Sequence, residues 1–170
     1  MKTLIISDET YEKIKGQIID QTEKDTIKIK NTKRDVIYTS NKPTFKEAIE
    51  EAVENKVNLG KANLRNADLC EVNLSGANLY EANLFGADLC GADLSKANLS
   101  EALLCRADLS RANLNEALLC GADLSGALFY KADLSSANLG RARFYGRGGR
   151  IKLTKEQVPV FLEALGFEIV

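Results

Sequence analysis

Four cysteines are the side chains of this chain best suited to metal binding or redox chemistry: Cys70, Cys90, Cys105 and Cys120. They do not form CxxC pairs, and they are too sparse for a disulfide scaffold. Zinc sites need four converging ligands, and the chain has no histidine to contribute. We therefore interpret the cysteines as free thiols that act as small apolar fillers, and we predict no metal and no cofactor. A redox pair of Cys70 and Cys90 is the alternative if the fold brings them within disulfide range.

The absence of histidine also removes most routes to catalysis. Nucleophiles activated by imidazole and histidine proton shuttles both need this residue. The chain has neither a GxxxxGK(S/T) phosphate loop nor a GxGxxG motif behind a strand. Acid and amide side chains are plentiful, but hydrogen bonding at turns explains them without catalysis. We predict that the protein is not an enzyme.

The net charge of -1 gives no general attraction to nucleic acid or to acidic membranes. Residues 1–56 carry 11 basic and 11 acidic side chains, residues 57–146 carry 8 and 10, and residues 147–170 carry 4 and 3. We therefore expect no direct binding to nucleic acid. The longest apolar runs are three or four residues, which predicts no membrane span, no signal peptide and a cytoplasmic protein.

Residues 1–43 are predicted to form a small mixed α/β module. An apolar strand at Lys2–Ile6 precedes a helix from about Asp8 to Ile19. The alternation in residues 27–30, a polar turn, and residues 36–39 then predict a β-hairpin. Because so short a module buries little surface, we expect it to rest on the repeats, on the tail or on a second copy of the chain.

Helices are predicted on both sides of the repeating stretch, where they are placed to cap its ends. In residues 44–56, a capping box of Thr44 and Glu47 precedes an amphipathic pattern. Its apolar stripe is Phe45, Ala48, Ile49, Ala52 and Val53, and its polar side is Lys46, Glu50, Glu51 and Glu54. In residues 147–170, a similar box at 154–157 precedes a second helix, and residues 167–170 suit a short strand. The apolar face of this second helix is Val158, Phe161, Leu162 and Leu165.

Between these helices, from Val57 to Gly146, leucine or phenylalanine returns at every fifth residue without exception. Two residues earlier alanine fills 16 of 18 positions, and one residue earlier Asn or Asp fills 14 of 18. In a unit such as 97–101, we name the five places the alanine position, the Asx position, the leucine position and the first and second turn positions.

This spacing requires a turn in every unit. Alanine and leucine point to the same side of an extended segment because side chains alternate along a strand. The next inward residue comes three places later, which neither a straight strand nor a helix of 3.6 residues per turn can continue. Repeated turning in one sense builds a parallel β-helix, whose stacked coils pair their backbones. Asn and Asp suit its corners because they hydrogen-bond to neighbouring backbone.

The motif A(D/N)LXX, as in Ala62-Asn63-Leu64 and Ala122-Asp123-Leu124, resembles the signature of the pentapeptide-repeat family. Eighteen unbroken copies occupy 90 of the 170 residues. The resemblance implies an all-β solenoid, a right-handed quadrilateral β-helix with four repeats per coil. The small N-terminal α/β module and a C-terminal capping helix complete the expected fold.

Outward positions that are neither small nor polar are the candidates for a binding surface. Leucine replaces Asx at Leu103, Leu118 and Leu128, and with four repeats per coil the bulky outward side chains fall on three faces. The candidate interaction surface is Phe85, Leu103, Cys105, Leu118, Cys120, Leu128 and Tyr130. Scattered apolar residues need no explanation, but together these predict a patch covered by the N-terminal module, by a second copy in a homodimer or by another protein.

A rigid β-helix without a cluster of reactive side chains favours a non-enzymatic scaffold or protein-interaction module with an unidentified protein partner. The family resemblance implies an alternative, because some members bind type II topoisomerases such as DNA gyrase as DNA mimics. Such mimicry needs an acidic surface, whereas residues 57–146 have a net charge of only -2 and no loop interrupts the repeats.

Ala97→Leu and Ser100→Leu test the inward assignment. The alanine site has no room for a larger side chain, so we expect Ala97→Leu to cost about 1–3 kcal/mol of unfolding free energy. The outward first turn position should accept Ser100→Leu with little change. Equal melting temperatures for the two variants would contradict the assignment.

Overall fold

The computed structural model describes residues 26–144 and 157–164. In chain order these contain strand β1 (Ile27–Lys30), strand β2 (Val36–Ser40), helix α1 (Phe45–Glu54), the repeat coils and helix α2 (Gln157–Ala164). Several predicted features lie outside the described residues: the strand at 2–6, the helix at 8–19, the capping residues before α2, Leu165 and the strand at 167–170.

The repeats form coils of four units, because backbone bridges join residues that are twenty apart. Asn63 pairs in parallel with Asn83, and Leu103 pairs in parallel with Asp123. Neighbouring coils are therefore stacked parallel strands, about 4.8 Å apart. We call this stack of coils the tower, and we name its four faces by the Asx positions that they contain. Face 1 contains Asn63, Asn83, Leu103, Asp123 and Arg143; face 2 contains Asp68, Asp88, Asp108 and Leu128; face 3 contains Asn73, Asp93, Asn113 and Asp133; face 4 contains Asn78, Asn98, Leu118 and Asn138.

The core of the tower consists of the leucine and alanine positions. Every leucine position from Leu59 to Leu139 is at most 2% exposed, and every alanine position from Ala82 to Ala122 is at most 1% exposed. The inward assignment made from side-chain alternation is therefore confirmed. Each buried leucine contributes roughly 1.5–3 kcal/mol relative to an exposed one, so this column is the main apolar source of stability.

Four of the five backbone N–H groups in a repeat donate to backbone carbonyls. The alanine position closes a β-turn onto the preceding leucine carbonyl, the Asx position donates to the coil before, and the leucine and second turn positions donate to the coil after. In residues 97–101, the Asn98 nitrogen lies 2.9 Å from the Ala77 oxygen, and the Leu99 nitrogen lies 2.7 Å from the Leu118 oxygen. Each coil is thus bonded to both of its neighbours.

A side chain satisfies the fifth N–H group, which belongs to the first turn position. The Oδ1 atom of the Asx residue two places earlier accepts this hydrogen bond, as Asn98 does from Ser100 at 3.1 Å. Thirteen Asx residues between Asn58 and Asn138 accept in this way. Asn and Asp interchange at this position because both carry Oδ1 at the same reach.

Leucine interrupts this arrangement at three Asx positions. Leu103, Leu118 and Leu128 have no acceptor atom, so the first turn N–H in each of their repeats has no partner of this kind. The three leucines are 40%, 44% and 48% exposed, respectively. The tower therefore loses three side-chain acceptors in exchange for three apolar side chains in solvent.

The second turn positions have left-handed backbone throughout. At all 17 of them from Lys61 to Arg141, φ lies between 54° and 71°, and only five are glycine. A non-glycine residue costs roughly 1–2 kcal/mol in this conformation, which the hydrogen bond to the next coil helps to offset. The repeat pattern did not predict this backbone state, because lysine, glutamate and arginine are common at these positions and seldom adopt it.

The predicted hairpin is present, and it extends face 1. β1 and β2 pair antiparallel, with a bulge between Ile29 and Lys30. Asn31 forms an antiparallel bridge with Ala62, and the Asn63 nitrogen lies 2.8 Å from the Lys30 oxygen. Backbone bridges therefore connect the hairpin to face 1 and continue from coil to coil as far as Arg143. The N-terminal module was expected to rest on the repeats, on the tail or on a second copy of the chain. The hairpin part of it rests on the repeats.

Helix α1 lies against the edge of the first coil. Its Thr44 N-cap accepts a hydrogen bond from the Glu47 N–H, and the helix buries Ala48, Ile49 and Ala52. The Nζ of Lys46 donates to the Cys70 oxygen at 2.7 Å, and a Glu50 carboxylate oxygen accepts from the Asn73 N–H at 3.0 Å. These two residues were expected only on the polar side of the helix. They also provide the first coil with partners that a preceding coil would otherwise supply.

Among the described residues, an aromatic pair joins helix α2 to the tower. The rings of Phe161 and Phe144 lie 5.3 Å apart between centroids, in an edge-to-face arrangement. Phe161 is 8% exposed, whereas Val158 and Leu162 from the predicted apolar face are 42% and 36% exposed. Within the two described ranges, neither helix has the length and apolar character needed to cross a membrane.

Asn98 and Leu118 occupy equivalent places on neighbouring coils of face 4, so they permit a reciprocal exchange. Asn98→Leu removes the acceptor of the Ser100 N–H, and we expect it to destabilise the protein by about 1–2 kcal/mol. Leu118→Asn supplies an acceptor for the Cys120 N–H, and we expect it to stabilise by about 0.5–1 kcal/mol. Urea unfolding of both variants measures the two changes. A destabilising Leu118→Asn would show that the acceptor does not determine the residue type at this position.

Candidate interaction surface

The structure distributes the predicted surface residues over three faces. Face 1 carries Phe85, Leu103 and Cys105, face 2 carries Leu128 and Tyr130, and face 4 carries Leu118 and Cys120. Because the faces point in different directions, a single flat partner cannot contact all seven. The face 1 group is the largest, and its members lie on two adjacent coils.

Phe85 supports two arginines instead of presenting an open apolar ring. The Cζ atom of Arg65, one coil before, lies 4.2 Å from the ring centroid, and the Cζ atom of Arg106, one coil after, lies 5.9 Å from it. Contacts of this kind attract the cation to the face of the ring. Phe85 was predicted as apolar surface, and the structure shows that it also positions two guanidinium groups at the corner between faces 1 and 2.

Cys105 takes part in a small polar network with the next coil. Burial raises the pKa of the Cys105 thiol, and a hydrogen bond to the Asp123 carboxylate raises it further. Desolvation acts to raise the pKa of Asp123, but hydrogen bonds from Ser125 and Cys105 and the charge of Arg143 outweigh it, so this pKa is lowered. Arg143 lies 3.6 Å from the Asp123 carboxylate. Cys105 is therefore a protonated hydrogen-bond donor and a poor nucleophile.

Cys70 and Cys90 occupy equivalent places on adjacent coils of face 2. Burial raises the pKa of Cys70, and the charge of Asp88 adds to this effect. A thiol with a raised pKa is a weak nucleophile and a weak metal ligand. All four cysteines are free and partly buried, and the described part of the chain holds no group of three or more potential metal ligands.

The fold separates charges that the sequence intermixes. Summed over Asx and turn positions, the net charge is +2 on face 1, -2 on face 2, -2 on face 3 and zero on face 4. The charged residues are Arg65, Arg106, Arg143 and Asp123 on face 1; Asp68, Glu71, Asp88, Asp108, Arg111 and Lys131 on face 2; Asp93, Lys96, Glu116 and Asp133 on face 3; and Lys61, Glu81, Glu101 and Arg141 on face 4. Counting charges over consecutive residues hides this difference between the faces, because successive repeats belong to different faces.

Two arginines of face 1 have no carboxylate partner among the described residues. The ion pairs of that part of the chain join Lys61 to Glu81, Lys96 to Glu116 and Arg143 to Asp123. Arg65 and Arg106 are in none of them, although both side chains are exposed. This pair of free cations beside Leu103 is the feature of the surface that sequence reasoning missed.

The repeats match a known protein family. A family model for pentapeptide repeats, built on eight copies, matches residues 55–84, 82–119 and 107–146, which together exceed half of the chain. No curated protein sequence has significant similarity to this one.

Solved structures of pentapeptide repeat proteins resemble the chain. One, from the thylakoid lumen of Arabidopsis thaliana, is 30% identical over 62% of this chain and 67% of its own, with a TM-score of 0.49. Another, from Nostoc Pcc 7120, is 34% identical over 69% of this chain and 92% of its own, with a TM-score of 0.48. A trypsin-treated form of QnrB1, a plasmid-mediated fluoroquinolone resistance protein, is 19% identical over 61% of this chain and 67% of its own, with a TM-score of 0.35.

Pentapeptide repeat proteins fold as right-handed quadrilateral β-helices, and the stacked four-repeat coils with alanine and leucine inside agree with this architecture. The chain belongs to the pentapeptide-repeat family.

Proposed function

We propose that this protein is a non-enzymatic scaffold whose outward surface around Leu103 binds another protein. Pentapeptide repeat proteins are in general structural repeat proteins without catalytic activity, which supports the first part of the proposal. The observation that carries the second part is the replacement of an Asx acceptor by exposed leucine at three positions.

These leucines are unfavourable for the folded tower. Each removes a side-chain acceptor whose hydrogen bond is worth about 0.5–1.5 kcal/mol, and each leaves apolar surface in water. Neither effect stabilises a β-helix, so a role outside the fold accounts better for them. Leu103 has the most suitable surroundings, because aromatic residues and arginines such as Phe85, Arg65 and Arg106 are enriched at protein interfaces.

We further propose that α1 and α2 close the two ends of the tower. An open end of a β-helix exposes unpaired backbone groups and invites stacking of one molecule onto another. Lys46 and Glu50 bond to such groups on the first coil, and Phe161 packs against Phe144 near the last one. Closed ends would direct binding to the lateral faces. The free thiols suit the cytoplasmic location that we also propose.

The topoisomerase alternative has weaker support. A DNA mimic needs acidic charge along a surface of duplex-like dimensions. The acidic excess here is confined to faces 2 and 3, with -2 on each, and face 1 is basic. The likeness to QnrB1, at 19% identity, concerns the fold alone. Binding to gyrase therefore stays a second prediction behind the scaffold role.

A photo-crosslinking residue at position 103 tests the proposed surface. Benzoylphenylalanine replaces Leu103 in one variant and Asn113 in a matched control, which lies at an Asx position of the opposite face 3. We expect irradiation of cells to give a discrete crosslinked protein from position 103 and none from position 113.

The same variants in purified form identify self-association, since a crosslink without other proteins assigns the partner to a second copy. Equal crosslinking at the two positions, or none at position 103 in correctly folded protein, would contradict the proposed binding surface.

A further inference from the structure

We infer that the part of face 1 nearest the hairpin docks an acidic segment of the partner protein. The inference rests on the proposed function and adds the chemistry of the partner. The site, which we name the basic face, consists of Lys28, Lys30, Arg65, Phe85, Leu103 and Arg106.

β1 and the face 1 strands of the first three coils carry these residues, with Arg65, Phe85 and Arg106 in the turns that follow the strands. β1 joins the first coil through the bond from the Asn63 N–H to the Lys30 oxygen. Ile29 is 1% exposed and points into the core, so Lys28 and Lys30 on either side of it point outward. From β1 to the third coil, the basic face crosses four adjacent strands and spans roughly 14 Å along the tower.

The cations of this surface form no ion pair with a described carboxylate. The outward positions of its four strands include four cations and no carboxylate. No ion pair of the described residues includes any of these cations. The nearest acid along face 1 is Asp123 in the fourth coil, and Arg143 already pairs with it. The cations of the basic face are therefore available to pair with carboxylates of another molecule.

The two arginines are prepared for binding by Phe85. Their Cζ atoms lie 4.2 Å and 5.9 Å from one ring centroid, and so at most about 10 Å from each other. A guanidinium held against a ring loses less side-chain freedom when it binds a ligand. Arginine also binds a carboxylate through two parallel hydrogen bonds, which fixes its orientation. The pair is suited to two acidic side chains on one partner segment.

The surroundings favour a protein over a nucleic acid. Leu103 lies within the basic face and is 40% exposed, which provides a contact for an apolar side chain and none for a phosphate. Face 2 adjoins the corner that bears Arg65 and carries Asp68, Asp88 and Asp108 at equivalent places on successive coils. A long polyanion that overhangs the narrow basic strip would meet these carboxylates and be repelled.

Binding of a fluorescein-labelled oligo-glutamate peptide to the full chain tests the inference by fluorescence anisotropy. Arg65→Gln with Arg106→Gln keeps the side-chain stems and removes two charges. We expect this double variant to bind the peptide about tenfold more weakly, and added salt to weaken binding to the unmodified protein.

Arg111→Gln with Lys131→Gln is the matched control. It removes two charges from face 2, including Lys131, whose Nζ lies 5.4 Å from the Tyr130 ring centroid. We expect it to leave peptide binding within about a factor of two, because these cations lie outside the basic face. Circular dichroism verifies that both double variants remain folded.

Three results would overturn the inference. Equal loss of binding in both double variants would show non-specific attraction to net charge, and no binding to the unmodified protein would show that the cations take no acidic segment. A labelled single-stranded oligothymidylate with the same number of charges could bind more tightly than the peptide and lose this binding in the Arg65 and Arg106 variant. That result would assign the face to nucleic acid. A positive crosslink at position 103 with any of these results would leave the proposed function standing and reject only the acidic partner.

Discussion

Each coil of the tower depends on the coils on either side of it for the hydrogen bonds of its backbone. Of the five N–H groups in a repeat, three cross between coils, one closes the turn, and the last is accepted by an Asx side chain. An unsatisfied buried N–H costs about 1–3 kcal/mol, so the residue choices follow this accounting closely. Leucine and alanine fill the interior, Asx supplies the missing acceptor, and the second turn residue accepts a left-handed conformation to reach the next coil.

The two ends of the array must meet the same requirement without a neighbouring coil. At the start, the hairpin provides a strand for face 1, and side chains of α1 provide partners for backbone groups of faces 2 and 3. At this end, one backbone strand and two side chains replace the hydrogen-bonding partners of a missing coil. The two side chains are Lys46 and Glu50, on the polar side of α1. At the other end, the described contact is aromatic and joins α2 to Phe144. Among the described residues, the first coil therefore receives hydrogen bonds from outside the repeats, and Phe144 beside the last coil receives an aromatic contact.

The coil leaves few positions whose side chains are free to vary. Three of the five positions serve the core and the backbone, so only the turn positions and the exceptions at Asx positions are free to vary. Successive repeats project these onto four directions, and residues on one face are twenty apart. Charge and apolar surface are therefore sorted with a period of twenty residues. The basic face arises in this way from a chain whose segments are close to neutral.

Much of the fold follows from local chemistry in the sequence. Side-chain alternation and the register of five are enough to place alanine and leucine inside and to require a turn in each repeat, and local patterns predict β1, β2 and α1. The residues of the candidate surface could likewise be chosen as exceptions to the pattern, with Leu103 among them. The contacts that those residues make within the chain could not be predicted. A period of five does not state how many repeats close a coil, so it cannot say that Phe85 lies between Arg65 and Arg106, or that Lys46 reaches Cys70. Those contacts join residues 20 to 24 places apart, and only the stacking of complete coils decides them, because stacking converts distance along the chain into position on a face.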